Sequence, residues 1–240
     1  MTSINRPRRL VLIRHGESQR NKAKKGATYF ADEAAREQIR GVPDHKIPLT
    51  DLGHRQAHQT GVALARLLEA PDYFYHSGYR RTRETLEGVL SGYSEDVRRG
   101  VQVRENMFIR ERDSGYAYDM MEEEAEAAFP WLKEYWATHG GFLARPAGGE
   151  SLADVTTRVH TFLNTIFRDR AGQNVFVATH GGTLRCFRYL LERWDYECAA
   201  HWPPGQSPKN CGVTIYEYDA SVGRLVLREY NTIYCEEEKE

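Results

Sequence analysis

The stretch LVLIRHGESQRN, residues 10–21, runs four apolar residues straight into an arginine, a histidine and a glycine. An apolar run of this length closed by glycine reads as a parallel strand buried on both faces. Strand exits usually carry small turn formers, so a cation and an imidazole at this exit need a chemical reason. NVFVATHGG at 174–182 repeats the pattern, and PDYFYHS at 71–77, followed by glycine, is a third candidate strand.

Helical patterns lie between and beyond these runs, over Leu52–Leu68, Tyr79–Leu90, Leu152–Phe167 and Thr183–Trp194. In the third of them Leu152, Val155, Val159, Phe162, Leu163 and Ile166 share one face, and Ser151 with Asp154 makes a capping-box start. Strands alternating with helices imply βαβ units. The predicted fold is therefore α/β, a three-layer α/β/α sandwich with a mostly parallel central sheet. GVTIYEYD and GRLVLREY predict a hairpin around Ala220–Gly223. Polar insertions at about 22–48 and 113–145 predict a cap over the strand ends, and CEEEKE at 235–240 reads as a flexible acidic tail. All of 1–240 is expected to form one domain.

Composition narrows the function. With 33 Lys+Arg against 34 Asp+Glu, and no basic stripe interleaved with aromatics, there is no electrostatic footprint for nucleic acid. The four cysteines, Cys186, Cys198, Cys211 and Cys235, contain no C-x-x-C pair, which fits a reducing cytoplasm better than a zinc site or a disulfide framework. The apolar run LVLI is too short for a signal-peptide core or a membrane span, so no membrane partner is expected. There is no P-loop, no G-x-G-x-x-G and no acidic metal triplet, so neither cofactor nor metal is expected. His54 and His58 are spaced i,i+4, but Arg55 stands where a zinc helix carries glutamate, and both read as surface residues.

In an open parallel sheet, ligands sit beyond the carboxyl ends of the strands. Arg14, His15 and Gly16 fall at one such end, His180, Gly181 and Gly182 at another, and Arg80, Arg81 and Arg83 just after a third. Glycines after the histidines let backbone N–H groups approach an anion, and arginine forks suit phosphate oxygens. Each piece alone is a weak signal. Together they describe a site for a phosphomonoester dianion, a small phosphorylated substrate.

The ordered set RHGES, SGYRRTRET, RERDSG, GGES and THGGTLR resembles the histidine phosphatase superfamily, which includes the phosphoglycerate mutases, over roughly residues 9–195. The resemblance implies a phosphohistidine on His15, with Arg14, Arg81 and His180 around the transferred group and Glu111 as proton donor. Gly16, Ser18, Asn21 and Gly181 would complete the phosphate pocket. Three departures bear on placement within the family. Ser114 replaces an aromatic, Gly78 stands where most members have proline, and Gly182 where mutases have asparagine. From Asp113 to Thr138 seven acids face one base, Lys133, an expected barrier to a second phosphate and a sign of a substrate neutral or cationic beyond its phosphate. YRRTRETLEG and RPAGGESLADVTTRV look most like the broad-range phosphatase branch. The expected activity is a metal-independent phosphatase, with a phosphoglycerate mutase-type phosphotransferase or a non-catalytic module as alternatives. Oligomeric state is left open.

Overall fold

The computed structural model describes residues 5–200 and 206–235, so most of the expected tail lies outside the described residues. The strands are β1 (Arg9–Arg14), β2 (Tyr73–His76), β3 (Gln102–Glu105), β4 (Asn174–Thr179), β5 (Val213–Asp219) and β6 (Arg224–Thr232). The helices are α1 (Gln19–Lys24), α2 (Glu33–Glu37), α3 (Asp51–Leu67), α4 (Arg80–Ser91), α5 (Glu95–Gly100), α6 (Glu122–Ala128), α7 (Leu132–Leu143), α8 (Leu152–Asp169), α9 (Gly181–Glu192) and α10 (Tyr196–Ala200).

One sheet runs β3-β2-β4-β1-β5-β6. The first four strands are parallel, and the β5–β6 hairpin adds antiparallel to β1. In β1 the side chains alternate between two cores. Leu10 and Leu12 join Val175 and Val177 under Val159, Phe162 and Ile166 of α8 and Phe187 of α9. Val11 and Ile13 join Phe74 and Phe176 under Leu64 of α3 and Leu86 and Val89 of α4. Burial on both faces is why the run at 10–13 is apolar at every position.

Three predicted strands and four predicted helices are present, with ends displaced by about two residues. The hairpin turns at Ala220–Gly223, where Gly223 has φ +67° and donates its N–H to the Asp219 carbonyl. Strand β3 carried no apolar signal because all four of its residues are exposed; backbone pairing with β2 alone defines it. In the second insertion the helical chain breaks around Pro130 into α6 and α7, as a ring with no N–H requires. The two insertions meet in a small core of Ala23, Phe30, Ile39 and Ile47 with Tyr118 and Met121. Among the described residues no helix is long and apolar enough to cross a membrane.

Candidate active site

The carboxyl ends of β1 and β4 deliver the two histidines side by side, ring centroids 5.2 Å apart. His15 N–H donates to the Thr179 carbonyl at 2.9 Å, which continues the β1–β4 pairing one step past the strand. The His15 ring is fixed by a 2.8 Å contact between Nδ1 and the Gly16 carbonyl. A carbonyl only accepts, so Nδ1 carries the proton and Nε2 keeps its lone pair. His180 is wholly buried, with Nε2 2.8 Å from Ser77 Oγ and Nδ1 without a partner.

A cavity of about 670 Å³ opens over this rim, lined by Arg14, His15, Ser18, Asn21, Arg81, Glu111 and Gly181 among others. Gly16 and His180 are not among the residues that line it, though the His180 ring packs edge-on against that of His15. Arg14 Nη1 donates to the Pro208 carbonyl at 2.6 Å, while its Nε is buried without a partner. Asn21 Oδ1 accepts from Ser18 N–H and from Asn210 Nδ2, which leaves the Asn21 amide nitrogen for a ligand. The first turn of α9, with no side-chain cap from His180, presents Gly181 and Gly182 to the cavity.

Two expected phosphate contacts are used otherwise. Gly16 N–H donates to Thr85 Oγ1 at 3.0 Å, and the Gly16 residue is there for space, since a Cβ would lie 2.5 Å from the Gly53 carbonyl oxygen. Ser18 is the N-cap of α1, and its hydroxyl is engaged with Asn21. Of the arginine cluster only Arg81 turns inward, 4% exposed; Arg80 pairs with Glu84 and Arg83 is exposed. His54 and His58 are exposed on α3, as expected.

Glu111 lies over Gly182, where a Cβ would approach its Oε1 to 2.8 Å, so glycine there makes room for the carboxylate. Arg112 N–H donates to Glu111 Oε1 at 2.9 Å and leaves Oε2 for a ligand. The loop bearing Glu111 is gripped from α8: Arg158 donates to the carbonyls of Phe108, Arg110 and Glu111 and to both oxygens of Glu150. At the departure from proline, Gly78 has φ +88°, a conformation closed to proline.

Burial holds both imidazoles neutral. His15 and His180 sit well below the ordinary 6.5, through desolvation first and Arg81 next. The unfolded chain therefore binds protons near that value that the folded chain refuses, and acid favours unfolding. Stability is full above about pH 6.5 and falls as pH drops below it toward the folded values. The urea midpoint is expected to be lower at about pH 5.5 than at about pH 7.5, with a smaller difference in His15→Ala. An identical difference in that variant would contradict this account.

Sequence reasoning missed Asp44, Arg20 and Lys24 as site residues. Asp44 takes both terminal nitrogens of Arg81, through Oδ1 at 2.9 Å and Oδ2 at 3.3 Å, and accepts from the Tyr118 hydroxyl at 2.6 Å. Of the cap acids expected to repel a second anion, few face the cleft. Glu124 pairs with Arg36, Glu123 and Glu134 are exposed, and only Glu122 and Glu126 line the adjoining cavity of about 780 Å³. The same wall carries Arg20, Lys24, Arg112, Lys133 and Arg185. Tyr118 and Trp136 line it too, while Tyr116 and Trp131 are on the surface.

A parallel-sheet rim holding two neutral histidines, two arginines and a carboxylate at one cavity of about 670 Å³ defines an α/β protein built to handle phosphoryl groups. The chain belongs to the histidine phosphatase superfamily, branch 1, whose model matches residues 10–231. It is 33% identical over 235 residues to phosphoglycerate mutase-like protein AT74H of Arabidopsis thaliana, covering 90% of this chain and 75% of that one. It is 28% identical over 312 aligned residues to broad-range acid phosphatase DET1 of Saccharomyces cerevisiae, covering 93% and 89%. In fold it is similar to the alpha-ribazole phosphatase from Shigella flexneri, with a TM-score of 0.72 at 22% identity over 96% of this chain and all of that one.

Proposed function

We propose that the protein is a phosphomonoesterase working through a phosphohistidine on Nε2 of His15. The observation that carries this reading is the Nδ1 contact with the Gly16 carbonyl, which points a lone pair, on a ring kept neutral, at an anion cavity. Arg14 Nε and His180 Nδ1 are buried nitrogens with no partner among the described residues, positions a phosphate oxygen would satisfy.

In the first half-reaction Nε2 attacks phosphorus and the bond to the leaving oxygen breaks. Glu111, in its acid form, gives its proton to that oxygen through Oε2. Arg14, Arg81, the Asn21 amide and His180 hold the equatorial oxygens, the positioning and charge neutralisation on which phosphoryl transfer depends. Then Glu111, now a carboxylate, takes a proton from water as the water oxygen attacks phosphorus. The N–P bond breaks and neutral His15 returns. Phosphate must compete with Asp44 for Arg81, so substrate entry includes a change of partner at that guanidinium.

The test is hydrolysis of para-nitrophenyl phosphate in EDTA with acid-labile phosphoenzyme trapped in parallel. Turnover with a trapped phosphohistidine supports the reading, and an inert wild type refutes it. Glu111→Gln is expected to lower kcat by about 10²–10⁴-fold with KM little changed. A full-rate Glu111→Gln enzyme would remove Glu111 from the chemistry. The similarity to a phosphoglycerate mutase-like protein keeps a phosphotransferase as the second reading. That enzyme would need a bisphosphate primer for turnover, and silence in both assays would leave a binding module.

A further inference from the structure

Two cations on α1, Arg20 and Lys24, feel the carboxylates of Asp44 and Asp119 only from beyond ion-pair distance. Arg20 Nη2 donates to the Tyr118 carbonyl at 3.0 Å and its guanidinium lies 3.3 Å from the Tyr118 ring centroid, while Nη1 is buried with no partner among the described residues. Lys24, one turn on and 7% exposed, gives Nζ to the carbonyls of Thr28 and Tyr118 at 2.5 and 3.2 Å. Among the described residues neither forms an ion pair. Asp44, in the same wall, is engaged with Arg81 and the Tyr118 hydroxyl.

Such an arrangement is unfavourable without an anion. Burial and the neighbouring Arg20 push Lys24 down to about 7, and burial takes Arg20 to about 10. A buried cation with no ion-pair partner is costly to keep, and proteins retain such groups where a ligand offsets that cost. Location says which ligand. Arg20, Lys24, Arg112 and Tyr118 line both the phosphate cavity and the adjoining one, so the two cavities are a single cleft with these residues at the junction.

We infer that Arg20 and Lys24 form a second oxyanion subsite, and that the substrate is a phosphomonoester whose leaving group carries another anion, a carboxylate or a phosphate. The transferred phosphoryl sits against His15. The rest of the molecule passes Tyr118, and its distal oxyanion takes Arg20 Nη1 and Lys24 Nζ in charge-assisted hydrogen bonds. This rests on the phosphatase reading for which phosphoryl group lies against His15.

The test measures binding, so it stands apart from turnover. His15→Ala protein is titrated calorimetrically with propane-1,3-diol bisphosphate and with propyl phosphate, which differ in the second anion. The bisphosphate is expected to bind at least about tenfold tighter, a gain that one charge-assisted contact supplies. Arg20→Gln on the same background should cut that ratio to about threefold or less. Lys24→Met serves as a second variant, since its long apolar stem preserves packing on Phe30 if Arg20→Gln unfolds. Equal affinities, or a ratio that survives both substitutions, would overturn the subsite. A protein that hydrolyses nothing yet keeps the Arg20-dependent ratio would refute the phosphatase reading and leave the subsite standing.

Discussion

His15→Ala is expected to lower kcat by at least about 10⁴-fold and to abolish trapped phosphoenzyme, while global stability moves by about 1 kcal/mol. The asymmetry follows from what the ring touches. Among the described residues its one side-chain hydrogen bond is to the carbonyl of the next residue, and the residue lines the cavity. Desolvation beside Arg14 and Arg81 already penalises the ring's charged form, so truncation removes little that holds the fold together. Catalysis loses the atom on which the covalent step is built. Kinetics with para-nitrophenyl phosphate and a thermal melt read both halves, and a variant that unfolds outright would contradict the site assignment.

Arg158→Ala is expected to be the reverse, a structural lesion of about 3–5 kcal/mol that also costs activity. Arg158 is 8% exposed and serves five oxygens, three of them carbonyls of the loop that carries Glu111. Without it, Glu150 keeps only Arg110 as a cationic partner among the described residues, and the three carbonyls lose a common donor. Arg158→Lys should recover part of the stability but little of the activity, because one ammonium cannot span the positions of a guanidinium fork. Urea unfolding gives the first quantity and kcat the second. Retention of wild-type stability in Arg158→Ala would show that Thr179 and Thr183, which donate to the Ile109 and Arg110 carbonyls, hold the loop unaided.

The legible parts of the molecule are those written in local periodicity. Both-face burial made β1 and β4 readable as unbroken apolar runs, and one-face burial made α8 readable as a 3.6-residue stripe. Edge strand β3, exposed along its length, has no such mark. The site was legible as a set of residue types at strand ends. Its wiring was not, because hydrogen bonds are directional and join residues far apart in the chain. Gly16 N–H looked free until Thr85, 69 residues on, took it. Asp44 reads as an ordinary loop acid until the fold brings it against Arg81, 37 residues away.

Taken alone, the sequence determined the strand–helix alternation, the family, and that His15, Arg81, Glu111 and His180 would meet, since each rests on short-range pattern and motif order. Only the tertiary structure decided which polar groups remain available to a ligand. It turned Arg81 inward and Arg83 out, spent Gly16 and Ser18 on packing and capping, and placed Arg20 and Lys24 in the cleft while most cap acids face elsewhere. Charge counted along a chain is indifferent to direction, and electrostatics in a cavity depends on which side chains face it and how little water is left to screen them.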